Sequence, residues 1–242
     1  MKKIKIIFRQ FPFLYAIRLT LQKAIGVLLR VNTKQYFSQT GEDIIIQFLI
    51  EKQRGFYVDV GCNHPISFSN TFELYKSGWV GLNIDANPEL IKKFKIRPRD
   101  ISVCAAVSDE VKEMVFYEFE QSEVSTLETT VLDNWKKNWN YKNSRKVITK
   151  TLTQILEENS VQTEIDFLSI DVEGHDLQVL KSLDFAKYKP RLILIEIHNF
   201  DVSNYQTNEI VHFLDVKGYD LVSFATMNGY FKRRKNTDSL LN

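Results

Sequence analysis

From about residue 41 onward, apolar runs and amphipathic stretches take turns along the chain. The apolar runs predict strands over residues 56–60, 79–84, 101–107, 167–170, 192–197 and 220–224. Between them, helical spacing predicts helices over 43–51, 70–76, 89–94, 152–158, 175–182 and 208–217. This alternation builds a mostly parallel sheet with helices on both faces, because each parallel pair needs a crossover long enough to hold a helix. Burial on both faces explains why Leu192-Ile193-Leu194-Ile195 is apolar throughout rather than alternating. Residues 229–233 follow the last of these strands across Met227-Asn228-Gly229, a hairpin signal, so the final strand runs antiparallel.

Two segments depart from the pattern. Residues 113–150 insert extra strands at 113–119 and 147–151, with a polar stretch between them that carries Trp135, Trp139 and Tyr141. It reads either as a lid or substrate loop, whose aromatics suit sugar rings, or as a surface helix with a small core of its own. Residues 1–35 form a basic, apolar arm ahead of a domain over 36–242. Pro12 breaks the arm, and residues 13–30 have helical spacing. The arm either packs on its own domain or on a second copy in a homodimer, or it lies on an anionic membrane surface through residues 1–30. Arg18 and Lys23 interrupt the apolar stretch and no small-residue cleavage site follows, which argues against a signal peptide.

Charge sharpens the contrast between arm and domain. Residues 1–41 hold eight basic residues and no acid, so a net charge of +2 conceals a mildly acidic domain. That balance gives no case for nucleic-acid binding. The 12% aromatic content excludes a disordered chain. Two cysteines, Cys62 and Cys104, form neither a disulfide framework nor a zinc set, which fits a cytoplasmic protein, with the arm at the inner face of the membrane if it binds lipid.

Candidate chemistry gathers at strand ends. The first strand closes in Asp59-Val60-Gly61-Cys62-Asn63, where a doubly wound sheet meets its ligand. Only one glycine of the dinucleotide fingerprint is present, so a pyrophosphate fits poorly and a cationic, amino-acid-like ligand fits better. The second strand runs into Asp85-Ala86, an acid placed to accept from both ribose hydroxyls. The third ends near Ser108 and Asp109, and the fourth in Asp171-Val172-Glu173-Gly174-His175. A nucleoside joined to an amino-acid tail would use all four ends.

These stretches resemble the FkbM family of S-adenosylmethionine-dependent methyltransferases. The resemblance includes Ser38-Gln39-Thr40-Gly41-Glu42-Asp43, Asp59-Val60-Gly61, Gly81-Leu82-Asn83-Ile84-Asp85-Ala86-Asn87-Pro88, Thr151-Leu152 with Ile155-Leu156, and Ile170-Asp171-Val172-Glu173-Gly174. It covers roughly residues 36–234 and implies a Rossmann-like class I methyltransferase fold, an α/β sheet of seven strands with the last antiparallel. It also implies S-adenosylmethionine as cofactor. Gln39, Glu42, Asp59 and Gly61 should then lie toward its amino-acid end, Asp85 at the ribose and Ser108 or Asp109 near the adenine, with Asn63, Ala86 and Asp171 also binding the cofactor. Family members mostly methylate hydroxyl oxygens of sugars or natural products, so a saccharide or other hydroxyl-bearing acceptor is expected.

Methyl transfer requires an aligned oxygen and a group that takes its proton. Asp171, Glu173, His175 and His198 are the candidate catalytic residues. Alternatively Asp171, Glu196 and His198 offer oxygen and nitrogen ligands to a divalent cation. Glu173 also reads as a charge at the positive end of the following helix. The competing functions are a nucleotide-binding oxidoreductase or sugar-nucleotide enzyme on the same sheet, and a non-catalytic nucleoside-binding protein at a membrane surface.

Overall fold

The computed structural model describes residues 13–28, 35–161 and 164–235. The outer parts of the arm, residues 1–12 and 29–34, lie outside them. In chain order the elements are α1 Phe13–Leu28, α2 Glu42–Leu49, β1 Phe56–Val60, α3 Phe72–Lys76, β2 Val80–Asp85, α4 Pro88–Lys93, β3 Ile101–Cys104, β4 Ala106–Val107 and β5 Glu113–Phe119. There follow α5 Leu132–Asn138, β6 Tyr141–Lys150, α6 Leu152–Glu158, β7 Phe167–Ile170, α7 Asp176–Lys181, β8 Leu192–Glu196, α8 Glu209–Val216, β9 Tyr219–Ala225 and β10 Asn228–Arg233.

Seven strands form one sheet in the order β3-β2-β1-β7-β8-β10-β9. The pairs from β3 to β8 are parallel, and β10 is antiparallel to both its neighbours. This is the Rossmann-like methyltransferase arrangement that the motifs imply. Alternation along each strand feeds two cores. Val58, Ile193 and Ile195 join Leu152, Ile155, Val179 and Leu214 on one face. Tyr57, Leu192 and Leu194 join Ile46, Phe72, Tyr75 and Trp79 on the other. Each fully buried aliphatic side chain contributes about 1.5–3 kcal/mol. Caps set where helices begin: the Thr151 hydroxyl accepts from Gln154 N at 3.1 Å, and Asn87, ahead of Pro88, accepts from Glu89 N at 2.9 Å.

Three expectations change. The strand expected over 101–107 breaks at Ala105, whose N–H donates to the Asp85 carbonyl, and β4 then leaves to pair in parallel with β6. The short strand expected at 147–151 extends back to Tyr141, because β6 pairs along the whole of β5. The insertion is therefore a second, three-stranded sheet, β4-β6-β5, with α5 in its connection. The hairpin turn falls earlier than Met227-Asn228-Gly229, since Asn228 already pairs with Ala225.

The arm helix touches the domain through Ala16, fully buried in the second core, whereas Leu14, Leu21, Ile25, Val27 and Leu28 are exposed. No helix among the described residues is long and apolar enough to cross a membrane.

Candidate active site

At the C-terminal edge of the sheet a cleft opens with about 790 Å³ of space, solvent mouth included. Sheet order sets the groups along it. Ala105, Ala106 and Val107 lie at the β3–β4 step, facing Phe116 and Leu127 of the insertion. Ile84 and Asp85 end β2, Gly61 and Asn63 follow β1, and Asp171 and Glu173 follow β7. Gln39 reaches in from the loop before α2. Four carboxylates line the cleft (Asp85, Glu123, Asp171 and Glu173), and among its described lining residues there is no Lys, Arg or His.

Backbone strain concentrates at this edge. Asn63, Phe68, Glu173, Asn199 and Thr226 have φ between 45 and 58°, and each follows a strand at this end of the sheet. A bulky residue such as Phe68 persists in that region only where its surroundings hold it. Gly61, at φ 80°, meets a second demand that sequence does not display. A Cβ there would lie 1.7 Å from the Asp171 carbonyl oxygen, so the β7 turn packs directly on it.

Asp85 is nearly buried, and its two oxygens accept from Asn87 N at 2.7 Å and Asn63 N at 3.0 Å. Burial pushes its carboxyl up to about 6 against these two bonds. Asp171 is pushed well above the usual range, first by burial and then by the charges of Glu196 and Asp176. Glu173 rises for the same reasons, with Asp171 its largest charged neighbour. Asp176 rises to about 7 through burial and Glu196, although Val172 N and Gly174 N donate to it at 3.0 and 2.9 Å.

Of the residues expected at the site, Gln39, Gly61, Asn63, Asp85, Ala86, Asp171 and Glu173 line the cleft. The others do not. Asp59 is buried and accepts from the Thr71 hydroxyl at 2.6 Å. Glu42 accepts from Thr40 N at 2.9 Å and from Asn228 Nδ2 at 3.3 Å, which ties the loop before α2 to the β9–β10 hairpin. Ser108 is fully buried against His175 Nε2 at 2.9 Å, and Asp109 beside it is exposed. His175 is itself buried, with Nδ1 3.8 Å from Glu128, and burial lowers its pKa more than Glu128 raises it. It joins the β7 turn to the β4 end rather than facing the cleft. His198 lies outside the cleft lining, 3.1 Å from Glu196, which raises its pKa.

Trp135 and Tyr141 pack edge-on around Phe119, with centroids at 6.2 and 5.9 Å, forming a local core for the insertion. Trp135, Trp139 and Tyr141 are all absent from the cleft lining. The insertion instead contributes Phe116, Ser122, Glu123, Ser125, Thr126 and Leu127, and Phe68 and Leu90 also line the cleft, although no motif marks any of them. The ligand-bearing cluster also differs from expectation. Glu173, not Asp171, completes a set with Glu196 and His198 whose ligand atoms all lie within 4.8 Å of one another.

The model of the methyltransferase FkbM domain matches residues 59–221. The chain belongs to the FkbM methyltransferase family. An S-adenosylmethionine-dependent methyltransferase is therefore its class. No curated protein matches it. Among solved structures, a TehB-like SAM-dependent methyltransferase from Corynebacterium glutamicum ATCC 13032 Kitasato superposes with a TM-score of 0.44 at 12% identity, covering 90% of this chain and 99% of that one. So loose a likeness adds nothing about the chemistry of this FkbM protein.

Proposed function

We propose that this FkbM protein transfers a methyl group from S-adenosylmethionine to a hydroxyl oxygen of a sugar or glycan. The observation that carries the cofactor assignment is the cleft's charge: four carboxylates and no basic side chain among its described lining residues. Such a wall offers a pyrophosphate no counter-charge, and a bound cation favours its carboxyls in their ionised form. The residues fit the cofactor along its length. Ala105 to Val107 with Leu90, Phe116 and Leu127 form an apolar slot for a flat base, Asp85 meets ribose hydroxyls, and Gln39, Asn63, Asp171 and Glu173 surround the amino-acid end. When bound, the cofactor supplies a methyl group on a positively charged sulfur.

The chain's own contribution is alignment and proton removal. Asp171 and Glu173 are the two carboxyls at the β7 end that line the cleft, and Asp171 is assigned as acceptor of the hydroxyl proton. His175 is assigned a positioning role through Ser108. Calorimetric titration with S-adenosylmethionine and S-adenosylhomocysteine tests the reading, followed by mass-spectrometric location of the methyl group on sugar acceptors. Micromolar binding, about −8 kcal/mol, that is lost in Asp85→Ala supports it. Absence of binding by the wild-type chain removes it.

The arm is assigned to an anionic membrane at its cytoplasmic face. Its support is the exposed apolar side chains of α1, together with the sequence of residues 1–41, which holds eight basic residues and no acid. Deleting residues 1–30 should abolish co-sedimentation with phosphatidylserine vesicles. Retained binding sinks this assignment, as does a concentration-dependent doubling of mass without vesicle binding, which would place a second copy there.

A further inference from the structure

We propose that Glu173, Glu196 and His198 form a binding site for one divalent first-row transition cation, at the acceptor end of the cleft. The proposal deepens the methyltransferase reading and rests on it for the site's purpose. Its first support is chemical composition: two carboxylates and one imidazole, with ligand atoms within 4.8 Å of one another. Opposed ligands at about 2.1 Å from one ion stand about 4.2 Å apart, so a small side-chain rotation closes the set. The second support is independent of spacing. Glu196 is 4% exposed, at the rigid end of β8, and its Oε2 has no hydrogen-bond partner. That oxygen stands 3.1 Å from His198 Nε2, the imidazole atom of the set.

Charge balance points the same way. Asp171, Glu173, Asp176 and Glu196 are electrostatic neighbours, and among the described residues the one ion pair that any of them makes is that of Glu196 with His198. Neighbouring carboxyls that share one imidazole are costly to ionise together, and a bound cation offsets that cost. Asp171 and Glu173 line the cleft while Glu196 and His198 lie beyond it, so the shared Glu173 places an ion beside the methyl-accepting position. Three protein ligands leave coordination positions for water and for an acceptor hydroxyl, which the ion would hold and acidify. Carboxylates suit Mn²⁺ and imidazole suits Zn²⁺.

The test uses the full chain, stripped with chelator and dialysed, then titrated calorimetrically with Mn²⁺ and separately with Zn²⁺. Mn²⁺ electron paramagnetic resonance provides a second readout. One ion per chain is expected, with affinity at least about tenfold weaker in Glu196→Gln and in His198→Ala and unchanged in His212→Ala, at an exposed position on α8. Should Glu196→Gln fail to fold, the half-exposed His198 position carries the comparison. Neither ion binding tighter than about 1 mM, or equal affinity in all variants, overturns the site. Titration of the same samples with S-adenosylhomocysteine in chelator separates the outcomes: binding there without ion binding defeats only the cation site, and failure there defeats the methyltransferase reading.

Discussion

Asp85 is held by two backbone N–H groups and still faces the cleft, which makes its protonation state legible in binding. With its carboxyl near 6 in the free chain, it is mostly protonated below that pH. Ribose hydroxyls donate to the ionised form, so affinity for S-adenosylhomocysteine should rise by up to about tenfold per pH unit toward pH 6 and level off above it. Calorimetry at pH 5, 6 and 7.5 checks the slope, and Asp85→Asn should flatten it. For stability the sign is opposite: this group's raised pKa favours the free chain most below pH 4, and that contribution is lost as pH rises through 6. At Gly61 the prediction is steric. Gly61→Ala forces a Cβ against the Asp171 carbonyl at positive φ, and urea denaturation should show a loss of about 4 kcal/mol or more.

The loop from β1 to α3 depends on one buried cation. Arg97 is 1% exposed, and its guanidinium donates to the Pro65 carbonyl at 2.7 Å, Ser69 at 2.8 Å and Thr71 at 3.0 Å. Asn63 and Phe68 belong to the segment it pins. Arg97→Met should cost about 3–5 kcal/mol in urea denaturation and weaken cofactor binding even though Arg97 does not line the cleft. Nothing in the sequence marks this arginine, because its partners are brought to it by the fold: a carbonyl and two hydroxyls of the loop, and the buried Asp100 carboxylate 3.8 Å away. A strand such as β8 is legible because both-face burial leaves a continuous apolar run from Leu192 to Ile195, and the position of Asp85 and Asp171 at strand ends follows from where their strands stop. Glu42, Ser108 and His175 lie outside the cleft lining for the opposite reason. Their motifs state which loop they occupy, and only packing decides whether a side chain turns to the cleft or ties two loops together. The insertion misled through its Trp residues, which its own sheet consumes around Phe119.

At the scale of the molecule, cofactor and fold should stabilise each other, since the cleft joins the main sheet to the insertion. S-adenosylhomocysteine at 100 times its Kd should add about 2.7 kcal/mol, a rise in Tm of about 5–10 °C for a chain of this size. A thermal scan that shows no shift despite measured binding would mean that the unfolding unit excludes the cleft. The position of β10 has a consequence for how the chain is made. Although it follows β9 in sequence, it lies between β8 and β9. Until it arrives, those two strands have no hydrogen-bonding partner for one another, and each presents a bare edge. A released chain that stops at residue 227 therefore holds a sheet that cannot close and should be prone to edge-to-edge aggregation and a substrate for chaperones, whereas one that runs six residues further, to the end of β10, can seal it.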